Sequence, residues 1–137
     1  MIVLDTSTLV GAAIRYGSVP HQAVLHAFQK DQVAVSEPVM AELFEVLYRP
    51  RLARFIDAGQ RAELLGLIYT LGVIFAPGMT VNDCRDEKDN KYLKLASAAK
   101  ADTIVSSDSD LLVLHPWRGV RILRPAEYLA ATGAAFE

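Results

Sequence analysis

The sequence predicts an α/β fold, a three-layer α/β/α sandwich with a short, mostly parallel central sheet of about five strands. Short apolar segments alternate along the chain with longer segments of helical periodicity. Strands separated by helices need crossover connections, and these favour a parallel sheet. The apolar segments are continuous rather than alternating with polar residues, which is typical of strands that helices cover on both faces.

Five apolar segments are the predicted strands. The first, "IVLD" at residues 2–5, runs directly into a carboxylate. The others are "VAV" at 33–35, "VIFA" at 73–76, "TIVS" at 103–106 and "VRIL" at 120–123. Each is long enough for a strand and too short for an amphipathic helix.

Two helices are predicted in the first part of the chain. One covers residues 18–30 with Ser18 as its N-cap. The other covers residues 36–50, with Ser36 as cap and its end at Pro50. The residues between the first strand and Ser18 are predicted to form a loop.

The remaining helices follow the same alternation. Asp57 and Gln60 have the spacing of a capping box at the start of a helix over residues 57–71. Further helices are predicted over residues 89–101, over 109–114 and from Pro125 onward.

Length and composition set the broad class. The chain has 137 residues, which fits one domain spanning residues 1–137. An apolar fraction of 52% argues for a folded protein and against disorder. A net charge of −2 gives no overall basic character, so any nucleic-acid binding must depend on local groups of cations.

The sequence also predicts a cytoplasmic location. Cys84 is the one cysteine, so no intramolecular disulfide forms, which suits a reducing compartment. The N-terminus lacks the basic region of a signal peptide. Residues 64–82 carry no charge, but Gly66, Gly72 and Pro77 interrupt them, so we expect no membrane span.

Four acidic residues are predicted to meet at one edge of the sheet. Asp5 and Asp108 follow the first and fourth strands, at the carboxyl ends where α/β sheets bind ligands. Glu42 lies in the helix after the second strand, and Asp89 begins the helix that leads to the fourth. Carboxylates held together repel each other unless they are protonated or bound to a cation, and oxygen ligands suit Mg²⁺ or Mn²⁺.

Each acid also has a simpler interpretation. Asp5 could be a solvated turn residue, and Glu42 an exposed helical acid. Asp89 and Asp108 could be N-caps. A phosphatase that uses Asp5 as its nucleophile is a further alternative, although that chemistry usually needs a second acid where this chain has Ser7.

Other chemistries fit poorly. The chain has no glycine-rich phosphate loop, and its three histidines lack the spacing of zinc ligands. No serine lies in a GxSxG elbow, the strand-to-helix turn typical of serine hydrolases.

Four stretches of the sequence resemble the PIN-domain family. They are "VLDTSTLV" at the start, "VMAELFEVLYRP" around Glu42, "CRDEKDNKYLKLASAAKADTIVSSDSDLL" at residues 84–112 and the closing "VRILRPAEYL". The resemblance spans nearly the whole chain and is most specific between Asp89 and Leu112. The most similar branch is the toxin component of bacterial and archaeal toxin–antitoxin pairs, the VapC-like ribonucleases.

The resemblance implies a metal-dependent endonuclease that cleaves single-stranded RNA and acts as the toxin of such a pair. The catalytic acids of the family, which bind Mg²⁺ or Mn²⁺, map onto Asp5, Glu42, Asp89 and Asp108. By the same likeness, Asp5 and Asp108 would hold the metal, and Glu42 and Asp89 would complete the cluster or orient the attacking water. Further polar positions near the site are matched by Ser7, Asp86 and Asp110.

The chain departs from the family pattern at a few positions. Relatives often carry a Thr–Gly pair before the fourth acid, where this chain has Ser106 and Ser107. Relatives often carry proline where this chain has Glu87. These differences leave the geometry of the loops open, whereas the four acids are intact.

Basic and apolar residues suggest where partners bind. Candidate RNA contacts are Arg15, Arg49, Arg51, Arg54, Lys88, Lys91 and Lys94. Residues 43–55, "LFEVLYRPRLARF", hold more apolar side chains than one helix face needs. We expect part of this segment to pair two copies as a homodimer or to receive the cognate antitoxin. The alternative function is a non-catalytic PIN-like module that binds RNA or protein.

Overall fold

The structure, a computed structural model, describes residues 1–133. The strands in this part of the chain are β1 (Ile2–Leu4), β2 (Val33–Val35), β3 (Val73–Ile74), β4 (Thr103–Val105) and β5 (Arg121–Leu123). The helices are α1 (Thr6–Ile14), α2 (Val19–Lys30), α3 (Glu37–Leu47), α4 (Pro50–Ala53), α5 (Ala58–Leu71), α6 (Asn90–Ala99), α7 (Ser109–Leu112) and α8 (Pro125–Ala131). A 3₁₀ turn (Glu87–Asp89) precedes α6.

The strands form one parallel sheet, as the sequence predicts. Within residues 1–133 the sheet has five strands in the order β3-β2-β1-β4-β5. Every pairing is parallel, and Val3 on the central strand lies between Ala34 and Ile104. The chain order reverses on the two sides of β1, which places β1 and β4 side by side at the centre.

The sheet separates two hydrophobic clusters, which confirms the three-layer architecture. Ile2 and Leu4 point to one side, into a cluster built with α1, α2, α5 and α8. Val3 and Ile104 point to the other side, where they pack with α6 and α7. Alternate residues of one strand therefore contact opposite helical layers, which explains why the strands are apolar throughout.

The main departure from the predicted elements is α1. The residues after β1, predicted as a loop, form a nine-residue helix that Asp5 caps by accepting a hydrogen bond from the Thr8 backbone N–H. Three consecutive hydroxyl residues disguise the helix in the sequence. Because the helix occupies this segment, Arg15 lies at its C-terminal end and not in a loop that follows the strand.

Smaller differences concern the ends of elements. The helix predicted over residues 36–50 ends at Leu47, and Pro50 begins the short helix α4 instead of only ending α3. Ser36 occupies the cap position of α3 but makes no side-chain cap bond. By contrast, Asp57 caps α5 through the Gln60 backbone N–H, as predicted.

The uncharged stretch at residues 64–82 divides into the end of α5, the short strand β3 and a following loop. In the part of the chain that the structure describes, no helix is both long and apolar enough to cross a membrane.

Replacing a buried core residue of α6 tests the packing that holds this helix against the sheet. Leu93→Ala should lower the free energy of unfolding by about 2–5 kcal/mol, because Leu93 is fully buried. Val113→Ala is the control, since Val113 is 75% exposed and its loss should change stability by less than about 0.5 kcal/mol. Urea unfolding measures both, and equal effects would contradict the packing described here.

Candidate active site

The carboxyl ends of β1 and β4 border an open cleft of about 410 Å³. Asp5, Glu42, Asp89 and Asp108 all line it, and we name it the acidic cleft. The sequence-predicted acids come from four distant segments, and the fold brings all four to one place. Their roles as metal ligands and catalytic groups stay predictions.

Asp5 is the most enclosed of the four acids, with 2% of its surface exposed. Its Oδ1 accepts the Thr8 backbone N–H at 2.9 Å, and the Ser7 hydroxyl lies 2.9 Å from both carboxylate oxygens. The interpretation of Asp5 as a solvated turn residue is therefore wrong. Burial raises the pKa of Asp5, and hydrogen bonds from Ser106, Thr8 and Ser7 offset part of this rise.

Ser106 connects the two strand-end acids. Its hydroxyl donates to Asp5 Oδ2 at 2.5 Å and accepts the backbone N–H of Asp108 at 2.9 Å. Asp108 caps α7 by accepting the backbone N–H of Asp110, so the N-cap interpretation holds for this residue. Ser106 therefore makes the contacts that keep Asp5 and Asp108 at the same edge, at a position where relatives often carry threonine.

Glu42 is held from one side by three donors. Tyr92 Oη donates at 2.5 Å, Lys91 Nζ at 2.9 Å and Thr6 Oγ1 at 3.3 Å, all to Oε2. Among residues 1–133, Oε1 has no hydrogen-bond donor. The second oxygen of a firmly oriented carboxylate is thus available to a ligand in the cleft.

The environment of Glu42 favours its ionised form. Burial alone would raise its pKa, but hydrogen bonds from Tyr92 and Lys91, the charge of Lys91 and the Thr6 hydroxyl together lower it below the usual value. Lys91, predicted as an RNA contact, forms an ion pair with Glu42 in this structure. Glu42 is thus not the simple exposed helical acid of the alternative interpretation.

Asp89 has the least support of the four acids. It is 7% exposed and lies at the start of α6, but its side chain makes no cap bond, contrary to the N-cap interpretation. Its Oδ2 is buried and has no hydrogen-bond partner within residues 1–133. Burial, followed by the interaction with Asp108 and repulsion from Asp108, Asp86 and Glu42, raises the pKa of Asp89 to about 7.

The predicted supporting residues divide between two places. Ser7 lines the acidic cleft and donates to Asp5, as described above. Asp86 and Asp110 are not among the residues that line the cleft, but each places a carboxylate oxygen within 4.8 Å of one from Asp89. Asp89 is therefore common to the cleft and to this neighbouring acidic group.

The predicted RNA contacts are also dispersed. Arg15 and Lys88 are exposed, and Lys94 is half-buried on α6. A separate open hollow of about 720 Å³ lies at α4, and we name it the basic hollow. Its lining residues are Arg49, Pro50, Arg51, Leu52, Arg54 and Phe55.

Three residues of the site are absent from the predicted set, namely Thr6, Tyr92 and Ser106. Thr6 and Ser106 are hydroxyl residues placed directly after strands, next to acids, which is a usable signal. Tyr92 lies three residues after Asp89, and this spacing puts both on one face of a helix. The sequence pattern instead favoured an apolar packing role for Tyr92, and its buried ring does pack in the core.

Comparison with known proteins agrees with this architecture. The family model described as "PIN domain" matches residues 1–110. The chain belongs to the PIN domain family. Proteins of this family are generally nucleases and typically depend on metal ions, and the group of Asp86, Asp89 and Asp110 could hold one.

Two individual proteins are similar to this PIN domain. An uncharacterized protein of Methanocaldococcus jannaschii, MJ1680, is 29% identical over 116 residues, covering 83% of this chain and 74% of that protein. The solved structure of VapBC2 from Rickettsia felis, bound to a DNA fragment from its promoter, has a TM-score of 0.53 and 15% identity. The match covers 89% of this chain and 97% of the compared chain. This second likeness supports the fold.

The raised pKa of Asp89 predicts a pH-dependent stability of the metal-free protein. An unfolded aspartate ionises near pH 4, whereas the folded one ionises near pH 7, so the folded state binds the extra proton between these values. Stability contributed by this group should therefore fall as pH rises from about 4 to about 7 and then level off. Asp89→Asn should remove that part of the decline.

Denaturant unfolding in chelator at several pH values measures this effect. The stability of Asp89→Asn relative to the unsubstituted protein should increase with pH across the window and become constant above it. A difference that does not change with pH would contradict the assignment, because an asparagine and an ordinary surface aspartate would then behave alike.

Proposed function

We propose that this protein is a Mg²⁺- or Mn²⁺-dependent endonuclease of single-stranded RNA, acting as the toxin of a toxin–antitoxin pair. The observation that carries the proposal is the acidic cleft, in which four carboxylates from separate segments lie at the carboxyl edge of a parallel sheet. The residues fit a hard divalent cation, because all offer oxygen ligands and Asp89 Oδ2 has no partner within residues 1–133. Family membership supports the nuclease assignment.

The cleft residues divide the work as follows. Asp5 and Asp108 bind the cation, and the Ser106 hydroxyl between them keeps their separation fixed. When bound, the cation activates water and stabilises the charge that develops on the phosphate. Glu42 is ionised and oriented with Oε1 free, so it can accept a proton from the attacking water. Asp89 completes the ligand set.

The basic hollow is the surface that we assign to RNA. Arg51 and Arg54 are exposed, and the structure gives neither an acidic partner within residues 1–133. Arg54 lies over the ring of Phe55, 4.8 Å from its centroid, and Phe55 is 52% exposed. Guanidinium groups contact phosphates, and an exposed aromatic ring stacks on an unpaired base, so this combination favours a single strand.

The partner assignments rest on the fold and on exposed apolar side chains. The structural neighbour of this chain is a VapBC complex, which supports an antitoxin partner for this protein. Tyr48 and Phe55, in the segment of residues 43–55, are each more than half exposed. These side chains support the proposal that the segment contacts an antitoxin or a second copy of the chain.

Cleavage of single-stranded RNA tests the main proposal. With Mn²⁺ present, the unsubstituted protein should cut RNA, and chelator should abolish the reaction. Asp5→Asn should lower the rate at least about a hundredfold, because it weakens a metal ligand at the reacting centre. Glu63→Gln, which removes an exposed acid on α5, is the control and should retain full activity.

Two outcomes would decide against this function. Cleavage that resists both chelator and Asp5→Asn would exclude a metal-dependent reaction in the acidic cleft. RNA binding without cleavage by the unsubstituted protein, across several RNAs, would favour the non-catalytic binding module instead.

A second experiment tests the basic hollow. The double variant Arg51→Ala, Arg54→Ala should weaken RNA binding and reduce the slope of log K against log salt concentration by about 0.7 for each phosphate that the protein no longer neutralises. Lys30→Ala, an exposed cation at the end of α2, serves as the control. An unchanged salt slope in the double variant would place the RNA elsewhere.

A further inference from the structure

A second group of carboxylates lies beside the acidic cleft. One oxygen from each of Asp86, Asp89 and Asp110 lies within 4.8 Å of the other two. Oxygens on opposite sides of a Mg²⁺ ion are about 4 Å apart, and those around a larger divalent cation about 5 Å apart. The three carboxylates therefore need only a small contraction to share one ion.

Asp89 adds an observation that is independent of the acidic group. Its side chain is nine-tenths buried, and Oδ2 has no hydrogen-bond donor within residues 1–133. A buried carboxylate oxygen without a donor loses the hydrogen bonds of water and gains nothing in return. Such an oxygen indicates a position where a ligand belongs.

The charges of the group point to a divalent cation. Asp86 caps the 3₁₀ turn through the Lys88 backbone N–H at 3.1 Å, which fixes its carboxylate. Asp110 binds Arg85, whose Nε donates at 3.0 Å and whose terminal nitrogen contacts the same oxygen. When the three carboxylates are ionised, one guanidinium leaves an excess of two negative charges.

Arg85 is well placed to respond to such a cation. Its side chain is 84% exposed, so it can leave the group without disturbing the core. Its positive charge lies against Asp110 and would repel a cation bound there. The same group of acids can therefore be neutralised in part by Arg85 or more fully by a metal ion.

We propose that Asp86, Asp89 and Asp110 bind a second divalent cation, Mg²⁺ or Mn²⁺, with Asp89 shared between this ion and the one in the acidic cleft, and that Arg85 competes with it. The proposal deepens and rests on the proposed function, since it adds a second ion beside the first. Two neighbouring cations hold more of the charge of a phosphodiester than one does.

Counting bound Mn²⁺ tests this proposal without using activity. The full chain, freed of metal by chelator, is titrated with Mn²⁺ by calorimetry, with electron paramagnetic resonance reporting free Mn²⁺. The unsubstituted protein should bind two ions, and Asp86→Asn should bind one. Arg85→Ala should tighten the second binding event by up to about fivefold, the size expected for an exposed ion pair. Glu87→Gln, an adjacent exposed acid, is the matched control and should bind two ions.

The folding of the variants does not confound the count. An asparagine at position 86 can still accept the Lys88 N–H bond, and circular dichroism checks that the fold is retained. Asp110→Asn is the second variant and should lose the same equivalent of Mn²⁺.

The outcomes separate this inference from the proposed function. One bound ion, unaffected by Asp86→Asn and lost in Asp5→Asn, would overturn the second site and leave the proposed function intact. Binding of no Mn²⁺ by the unsubstituted protein would contradict the metal-dependent function itself. Unchanged affinity in Arg85→Ala would overturn the competition.

Discussion

The burial of the Asp5 carboxylate is the constraint on which the rest of the structure depends. Asp5 ends the central strand β1 and caps α1 through Thr8, so it fixes the direction in which the chain leaves the sheet. Ser106, in the loop after β4, donates to the same carboxylate. Because a buried charge needs hydrogen bonds from its surroundings, this one residue couples α1, β1 and the loop that carries Asp108.

The acids of the cleft are stabilised to different degrees, and the difference indicates their roles. Two carboxylates about 5 Å apart repel by roughly 3 kcal/mol at an effective dielectric constant of about 20. Asp5 is compensated by hydroxyl and backbone donors, and Glu42 by Lys91 and Tyr92. Asp89 has neither, although it is nearly as buried as Asp5. The first two are therefore prearranged by the protein, whereas Asp89 depends on what binds in the cleft.

Much of this arrangement could be predicted from sequence, because it follows from local pattern. Continuous apolar segments indicate buried parallel strands, and acids directly after strands must lie at the ligand-binding edge. The contacts that organise the site are of another kind. Ser106 and Asp5 are 101 residues apart, and Tyr92 and Glu42 are 50 apart. Such contacts depend on strand order and register, which a single sequence does not specify. Helix α1 was missed for a local reason, since its buried face is made largely of small residues such as Ala12 and Ala13.

The raised pKa of Asp89 and an affinity of the site for cations have the same physical origin. Burial and the negative charges of Asp108, Asp86 and Glu42 make its ionised form unfavourable, which is why its pKa lies near 7. A proton relieves that repulsion in the metal-free protein, and a divalent cation relieves it more fully. Metal binding must then displace the proton, so cation affinity should strengthen as Asp89 ionises. An acid stabilised like Glu42 would give the cation much less to gain, and for this reason the least supported carboxylate is the strongest evidence that the cleft was built for a metal ion.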